Sequence, residues 1–415
     1  MADSSESAGP PPSAGPPPSA GALPSAGALP SAGALPSAGA LPPADARRTA
    51  VEAVVRIESG GAYANVLLPK MLAETELEAR DRRLVTELVF GSTRRKRALD
   101  HVVDRYLVAD PPPLARAALR IGAHQLIEMG TPPHAAVSAT VQATPKRFRG
   151  LVNAVLRKVA AAASAGIEYP SRAVALSYPD WIVALLCTEL GEQRALDALS
   201  AMNLPARSHR REDGYVQDQS SQQVAAVVPA ARGDLVLDLC AAPGGKSTEI
   251  AGRGAAVVAV DLQPGRAGLV ASNAQRLGCS RRLEGNGVAV VVADGTAPPF
   301  RRGTFDAVLV DAPCSGLAAL RRRPDARWRI RPADISVLAA LQRRLLESAA
   351  PLVAPGGTLV YSVCTLSLAE TSEVVAATGA ELAALGFSAQ PSSLLVPTAD
   401  RDGMFWSVWT RSADR

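Results

Sequence analysis

Cysteine is scarce in this 415-residue chain: Cys187, Cys240, Cys279, Cys314 and Cys364 are odd in number, widely spaced and without a CxxC pair. That argues against a disulfide framework and a structural zinc site, so no metal is expected and a reduced, cytoplasmic protein is. No run approaches the roughly 18 consecutive apolar residues of a membrane span, which excludes a membrane role. The first 45 residues lack Lys and Arg entirely; they hold 11 of the 33 prolines and four tandem copies of SAGALP from Ser19 to Pro42. A secretory signal needs a basic start before an apolar run, so none is expected there, and residues 1–45 read as a disordered low-complexity tail. The tail's only charges are Asp3, Glu6 and Asp45, which leaves 44 basic against 36 acidic residues in the remainder. That excess suits a polyanionic partner.

From residue 46 to 163 apolar residues recur at three- and four-residue spacing, as in Val51, Val54, Val55 and Leu84, Val85, Leu88, Val89. Breaks near Gly60, Pro111 to Pro113 and Gly130 to Pro133 divide the stretch into five to seven helices, which predicts a compact all-α domain. Two basic clusters, Arg94 to Arg97 and Lys146, Arg147 with Arg149, read equally well as solvated helix ends or as an RNA-facing surface. Residues 164–214 form a connector: Trp181 to Leu190 and Glu192 to Met202 are helical, and Asn203 to Gly214 has no periodicity and reads as a linker.

After Tyr215 the period changes. Apolar runs at Leu235 to Leu239, Ala256 to Val260, Val288 to Ala293, Ala307 to Val310 and Thr358 to Val363 alternate with helical segments such as Gly265 to Leu277 and Ile335 to Val353. Continuous Val/Leu runs separated by helices indicate parallel strands buried on both faces, hence a doubly wound α/β sheet over residues 215–415. Met404 to Thr410 follows the turn signal Asp402-Gly403 and reads as an antiparallel edge strand.

The first of these strands runs into LDLCAAPGGKS, Leu237 to Ser247, where Gly244 and Gly245 allow a ligand close to the backbone before a helix starts. A phosphate cradle would need Gly at position 240, which is Cys240, and GxGxxG spacing is absent. A nucleoside ligand without pyrophosphate remains, with Asp261 placed for two ribose hydroxyls and Asp294 for an adenine amine. Each Asp alone could equally cap a helix; three at successive strand ends, Asp238, Asp261 and Asp294, favour a ligand site.

Cys314 in DAVLVDAPCSG and Cys364 in TLVYSVCTL each lie just past a strand, 50 residues apart in sequence and over one crevice if the strands are neighbours. A lone cysteine is usually a small core residue, whereas two at matching strand ends point to function. Carbon 5 of cytosine is a poor nucleophile, and a thiolate added at carbon 6 makes it reactive. One cysteine can be that nucleophile and the other can assist release. Between them LRRRPDARWRIRP places Arg321, Arg322, Arg323, Arg327, Arg329 and Arg331 around Trp328, which suits phosphate contacts and base stacking as well as a solvated arginine run.

In order and spacing, LDLCAAPGGKS, DAPCSG, RRRPDARW and YSVCTL resemble the bacterial 16S ribosomal RNA cytosine-5 methyltransferases of the RsmB (Sun/Fmu) family, and GGAYANVLLP, RDRRLVTELVFGSTRR and RGLVNAVLRKV resemble their NusB-like N-terminal module. The resemblance implies an all-α NusB-like RNA-binding domain followed by a Rossmann-like methyltransferase domain. It implies S-adenosylmethionine held by Cys240, Ala241, Ala242, Pro243, Gly244, Gly245, Lys246, Asp261, Asp294 and Asp311, with Asp311 also reaching the base. Cys364 becomes the nucleophile and Cys314 the residue for release. The implied partner is 16S rRNA or a small-subunit precursor, bound by a monomer through Arg321, Arg322, Arg323, Arg327, Trp328 and Arg329. Relative to the family, Val363 replaces a usual Thr, Glu370-Thr371-Ser372 stands for Glu-Asn-Glu, and several dozen residues of a small RNA-gripping subdomain are missing near 203–214. A second class of function stays open beside the enzyme: a NusB-like RNA-binding or assembly protein whose methyltransferase domain binds cofactor but turns over poorly.

Overall fold

A computed structural model describes residues 45–280 and 286–413. The expected tail lies outside them as far as residue 44. Asp45, assigned to that tail from sequence, instead caps the first helix, its carboxylate accepting from Arg47 N at 3.0 Å.

Seven α-helices follow: α1 (Ala46–Glu58), α2 (Ala64–Ala73), α3 (Ala79–Arg94), α4 (Lys96–Asp104), α5 (Pro113–Ile127), α6 (Pro133–Ala143) and α7 (Arg149–Ala165). The prolines that break the pattern start α5 and α6, where a missing N–H costs no intrahelical bond. Val51, Val54, Val85, Leu88, Ile121 and Leu156 meet in one buried core. At Gly122 an added Cβ would lie 2.3 Å from Leu156 Cδ1, so glycine is what lets α5 and α7 approach.

The connector contains α8 (Arg172–Leu176), α9 (Asp180–Leu190) and α10 (Glu192–Ala201). Tyr178, Ile182, Leu186, Leu199 and Met202 share a buried cluster with Leu317, Leu320 and Leu366. These helices therefore pack against the segments that carry the two strand-end cysteines. The linker does not run free: Arg210 and Val216 form an antiparallel bridge, and Gln217 N donates to His209 O at 2.9 Å.

After α11 (Gln219–Val227) come β1 (Leu235–Asp238), α12 (Gly245–Gly252), β2 (Ala256–Asp261), α13 (Pro264–Arg276), β3 (Gly287–Val292), β4 (Phe305–Asp311), α14 (Pro332–Ala349), β5 (Val353–Val363), α15 (Ser372–Ala384), β6 (Phe387–Ala389), β7 (Ser393–Leu395) and β8 (Met404–Arg411). The sheet order is β3-β2-β1-β4-β5-β8-β6, with β7 also on β8, and β1 to β5 are parallel. Apolar strand residues face α11, α12 and α13 on one side and α14 and α15 on the other. The order reverses between β1 and β4, which opens the crevice where such sheets bind ligands. One strand differs from expectation: β8 is antiparallel but interior, because β6 and β7 pair along its far side. Those strands are three residues each, too short for alternation to reveal. Among the described residues no helix is long and apolar enough to cross a membrane.

Candidate active site

The turn from β1 into α12 is shaped for close approach. Gly244 has φ +99°, and a Cβ there would lie 3.0 Å from Val270 Cγ1; at Gly245 it would lie 3.0 Å from Tyr215 Cε1. Ala241 N donates to Val260 O at 2.8 Å, holding Cys240 to Gly245 over the ends of β1 and β2. Arg211, from the stretch read as a bare linker, donates to Gly245 O at 2.6 Å and to Gln217 Oε1 at 2.7 Å. No periodicity marks that residue, so the sequence carries no signal for it.

Asp238, the first of the three strand-end aspartates, is the most telling group in this crevice. It is buried, its Oδ2 accepts from Ser247 Oγ at 2.6 Å, and its Oδ1 has no partner. Burial pushes its pKa to about 7, with the Ser247 bond opposing the rise. A buried carboxylate oxygen without a donor fits a ligand ammonium group, such as that of a bound amino acid moiety. At the end of β2, Asp261 accepts from Gln263 N at 3.1 Å and pairs with Arg266 at 3.1 Å. Asp294 is exposed and its Oδ1 closes a turn, accepting from Thr296 N and Oγ1 at 2.8 Å. Burial pushes the Cys240 thiol up, so it stays protonated beneath the loop.

Lys246 and Asp311 link the cofactor loop to the cysteines. Lys246 Nζ lies 2.5 Å from Asp311 Oδ2, and Ser362 Oγ donates to Asp311 Oδ1 at 2.7 Å. Burial works against the Lys246 charge, yet Asp311 more than offsets it and the pKa is raised. Past the ends of β4 and β5, the sulfurs of Cys314 and Cys364 lie 3.4 Å apart, both half-buried. Their environments are unequal. The Cys314 thiol is pushed up by its hydrogen bond to Cys364, by burial and by Glu370; the Cys364 thiol is lowered by the bond from Cys314, against burial, with Arg323 and Lys246 assisting. The pair can thus hold a thiolate at Cys364 beside a protonated Cys314.

The arginine run behaves differently from its expected RNA-binding role. Arg321 is buried, donating to Thr398 O at 2.5 Å and Arg401 O at 2.6 Å. Arg322 pairs with Asp402 and Asp218. Arg327 has no exposure: it donates to Arg94 O, Ser177 O and Asn203 Oδ1 and stacks 3.9 Å from the Tyr178 ring centroid. Trp328 Nε1 donates to Thr93 O at 2.8 Å, and Arg329 donates to Gly61 O at 2.7 Å, to Ile57 O and to Ala62 O. Five of the six expected RNA contacts, Arg321, Arg322, Arg327, Trp328 and Arg329, therefore fasten the sheet domain to the helices and to the 398–402 loop. Helix-end and loop carbonyls need donors, and arginine supplies five in a planar fork. Arg323 alone of the six is exposed and, among the described residues, in no ion pair, and it acts on Cys364 to lower its pKa.

The sequence from residue 225 to 393 matches the family model of the 16S rRNA methyltransferase RsmB/F, and residues 44–161 match that of the NusB family. A putative methyltransferase of Mycobacterium tuberculosis is 35% identical over 401 residues, spanning 80% of this chain and 86% of its own length. The chain belongs to the RsmB/F family of 16S rRNA methyltransferases. Two further relatives are the ribosomal RNA small subunit methyltransferase B of Thermus thermophilus, 35% identical over 360 residues (80% and 86%), and the probable ribosomal RNA small subunit methyltransferase B of Bacillus subtilis, 31% identical over 392 residues (79% and 87%). The RsmB/F fold is S-adenosylmethionine-dependent, and the unpaired Asp238 oxygen and the glycine turn fit that cofactor. In three dimensions the crystal structure of PH0851 covers 89% of this chain and 99% of its own, with TM-score 0.69 at 20% identity, which supports the same fold.

Proposed function

We propose that this RsmB/F methyltransferase methylates carbon 5 of a cytosine in small-subunit rRNA through a covalent adduct on Cys364. The single observation that carries the reading is the pair of sulfurs 3.4 Å apart over the crevice, with Lys246 and Asp311 between them and the cofactor turn. Cys364, lowered by its neighbours, adds to carbon 6 of the base and so raises electron density at carbon 5. Asp311, held between Lys246 and Ser362, orients the ring by accepting from the cytosine amine. S-adenosylmethionine, when bound, supplies the electrophilic methyl group to carbon 5. Gly244, Gly245, Asp238 and Asp261 bind that cofactor, with Cys240, Ala241, Ala242, Pro243 and Asp294 lining its crevice. Cys314 passes its proton to the Cys364 sulfur as the carbon 6–sulfur bond breaks, while the carbon 5 proton leaves to solvent water and its electron pair re-forms the double bond between carbons 5 and 6.

RNA is gripped by Arg323 beside the thiols and by Lys146 and Arg147 on the helical domain. These last two are exposed, and among the described residues they meet no carboxylate. The test is product identity: incubate the full chain with methyl-labelled S-adenosylmethionine and 16S rRNA, either naked or in small subunits, then digest the RNA to nucleosides. Label in 5-methylcytidine is expected. Label in another base or in ribose, or none at all from protein that binds both ligands, contradicts it, and the last result favours an RNA-binding or assembly role.

A further inference from the structure

Behind the two cysteines lies a carboxylate that the reaction scheme above does not use. Glu370 is fully buried just after β5. Its Oε1 accepts from Ser315 N at 2.8 Å and from Gln342 Nε2 at 3.1 Å, and its Oε2 accepts from Ser315 Oγ at 2.5 Å and Thr365 Oγ1 at 3.2 Å. Ser315 and Thr365 are the residues that directly follow Cys314 and Cys364, and their hydroxyls lie 2.8 Å apart. Tyr361 closes the arrangement by donating to Gln342 Oε1 at 2.9 Å and to the Glu370 carbonyl at 2.7 Å. Four donors converge on two carboxylate oxygens, a geometry that holds the ionised form although burial pushes the pKa up.

We propose that Glu370 is a positioning residue: it bolts the loop after β4 to the loop after β5, sets the two sulfurs at hydrogen-bond distance, and places the proton they share on Cys314. This rests on the reading of Cys364 as nucleophile. Cys314 and Cys364 can share a single proton across their contact, and the charges around them decide which sulfur holds it. Besides their mutual hydrogen bond and burial, Glu370 raises the Cys314 thiol, whereas Arg323 and Lys246 lower that of Cys364 and Asp311 raises it. Glu370 itself has one further acid nearby, Glu189, which accepts from Leu368 N at 2.9 Å. The negative charge behind Cys314 stands 3.4 Å across from Cys364, where Asp311 is neutralised by its ion pair with Lys246 and Arg323 is left to favour the thiolate, so a single shared proton stays on Cys314.

The test reads thiol chemistry without RNA or cofactor and, beside it, turnover in the full methylation assay. Wild-type protein and Glu370→Gln are pulsed with iodoacetamide between pH 6 and 9, and the extent of modification at each cysteine is mapped by mass spectrometry. Wild type is expected to modify Cys364 first. Glu370→Gln is expected to lose that preference by about fivefold or more, and to lower kcat about tenfold with KM little changed. A folded Glu370→Gln protein with the wild-type preference and kcat overturns the proposal. Should that variant fail to fold, Ser315→Ala keeps the carboxylate and removes one bolt. A smaller loss of preference there supports the proposal, and an unchanged preference overturns it. A covalent RNA adduct formed through Cys314 would instead overturn the assignment of nucleophile, while the alkylation result still reports on what Glu370 does.

Discussion

Two basic stretches of this chain, Arg321 to Arg329 and Lys146 to Arg149, put their charge to different uses. In the first, guanidinium groups turn inward onto carbonyl oxygens of α1, α3 and the connector, and Arg327 keeps no exposure at all. In the second, Lys146 and Arg147 stand in solvent at the start of α7, with Arg147 4.7 Å from the Phe148 ring centroid. Similar charge density in sequence therefore yields an interdomain clasp in one place and an exposed basic surface in the other. What separates them is what surrounds each: the clasp meets chain ends with unsatisfied carbonyls, and the exposed cluster meets water. The cluster at Arg94 to Arg97 is intermediate, since Arg95 pairs with Glu128, Lys96 with Glu58 and Arg97 with Asp180, while Arg94 is buried.

The comparison can be broken most directly at Arg327. Replacing it with Ala leaves at least three carbonyl acceptors without a donor inside the protein, so a loss of about 3–5 kcal/mol is expected in urea unfolding. Burial already lowers the Arg327 pKa to about 10, which says the site holds the charge at a cost. A change below about 0.5 kcal/mol would return Arg327 to the surface.

The next effect belongs to Asp238. Its pKa is raised to about 7 in the folded protein, against the ordinary value of 3.8 in the unfolded chain. The folded state thus holds a proton that the unfolded state has released. Its contribution to stability is complete below about pH 4 and declines as pH rises, until it is gone above about pH 7, a span of at most a few kcal/mol. Cofactor-free protein should therefore lose stability across that window, and Asp238→Asn should remove this part of the slope. An equal slope in the Asn variant would exclude Asp238 as its source.

Trp328→Phe keeps most of the ring and removes only the bond to Thr93 O, for which about 1 kcal/mol is expected in the same unfolding assay. Smallest in stability is the exposed cluster: Lys146→Ala with Arg147→Ala should change folding by less than about 0.5 kcal/mol. The same pair should weaken RNA binding and reduce the slope of log affinity against log salt by about two phosphate contacts, and Arg323→Ala by about one. An unchanged slope would remove these residues from the RNA surface.

Much of this architecture could be read from the residues. The Val/Leu runs give parallel strands because both faces are buried, and the strand-end residues Asp261, Asp311, Cys314 and Cys364 follow from where those runs stop. The partners of these residues were not legible. Arg211 reaches Gly245 from a segment with no periodicity, and Glu370 lies 55 residues from the Ser315 it holds. The arginine run was read as exposed because charge predicts solvent, and only the fold shows carbonyls waiting for it. Tertiary acceptors leave no mark in a local pattern.

The central claim is that the two thiols divide the chemistry, and one gel tests it. Cys314→Ala and Cys364→Ala proteins, each shown to be folded and to bind S-adenosylmethionine, are incubated with cofactor and 16S rRNA and run under denaturing conditions. The account predicts a slowly migrating protein–RNA band from Cys314→Ala, where the base is attacked and methylated but not released, and none from Cys364→Ala. A band from Cys364→Ala with none from Cys314→Ala would contradict it and make Cys314 the nucleophile.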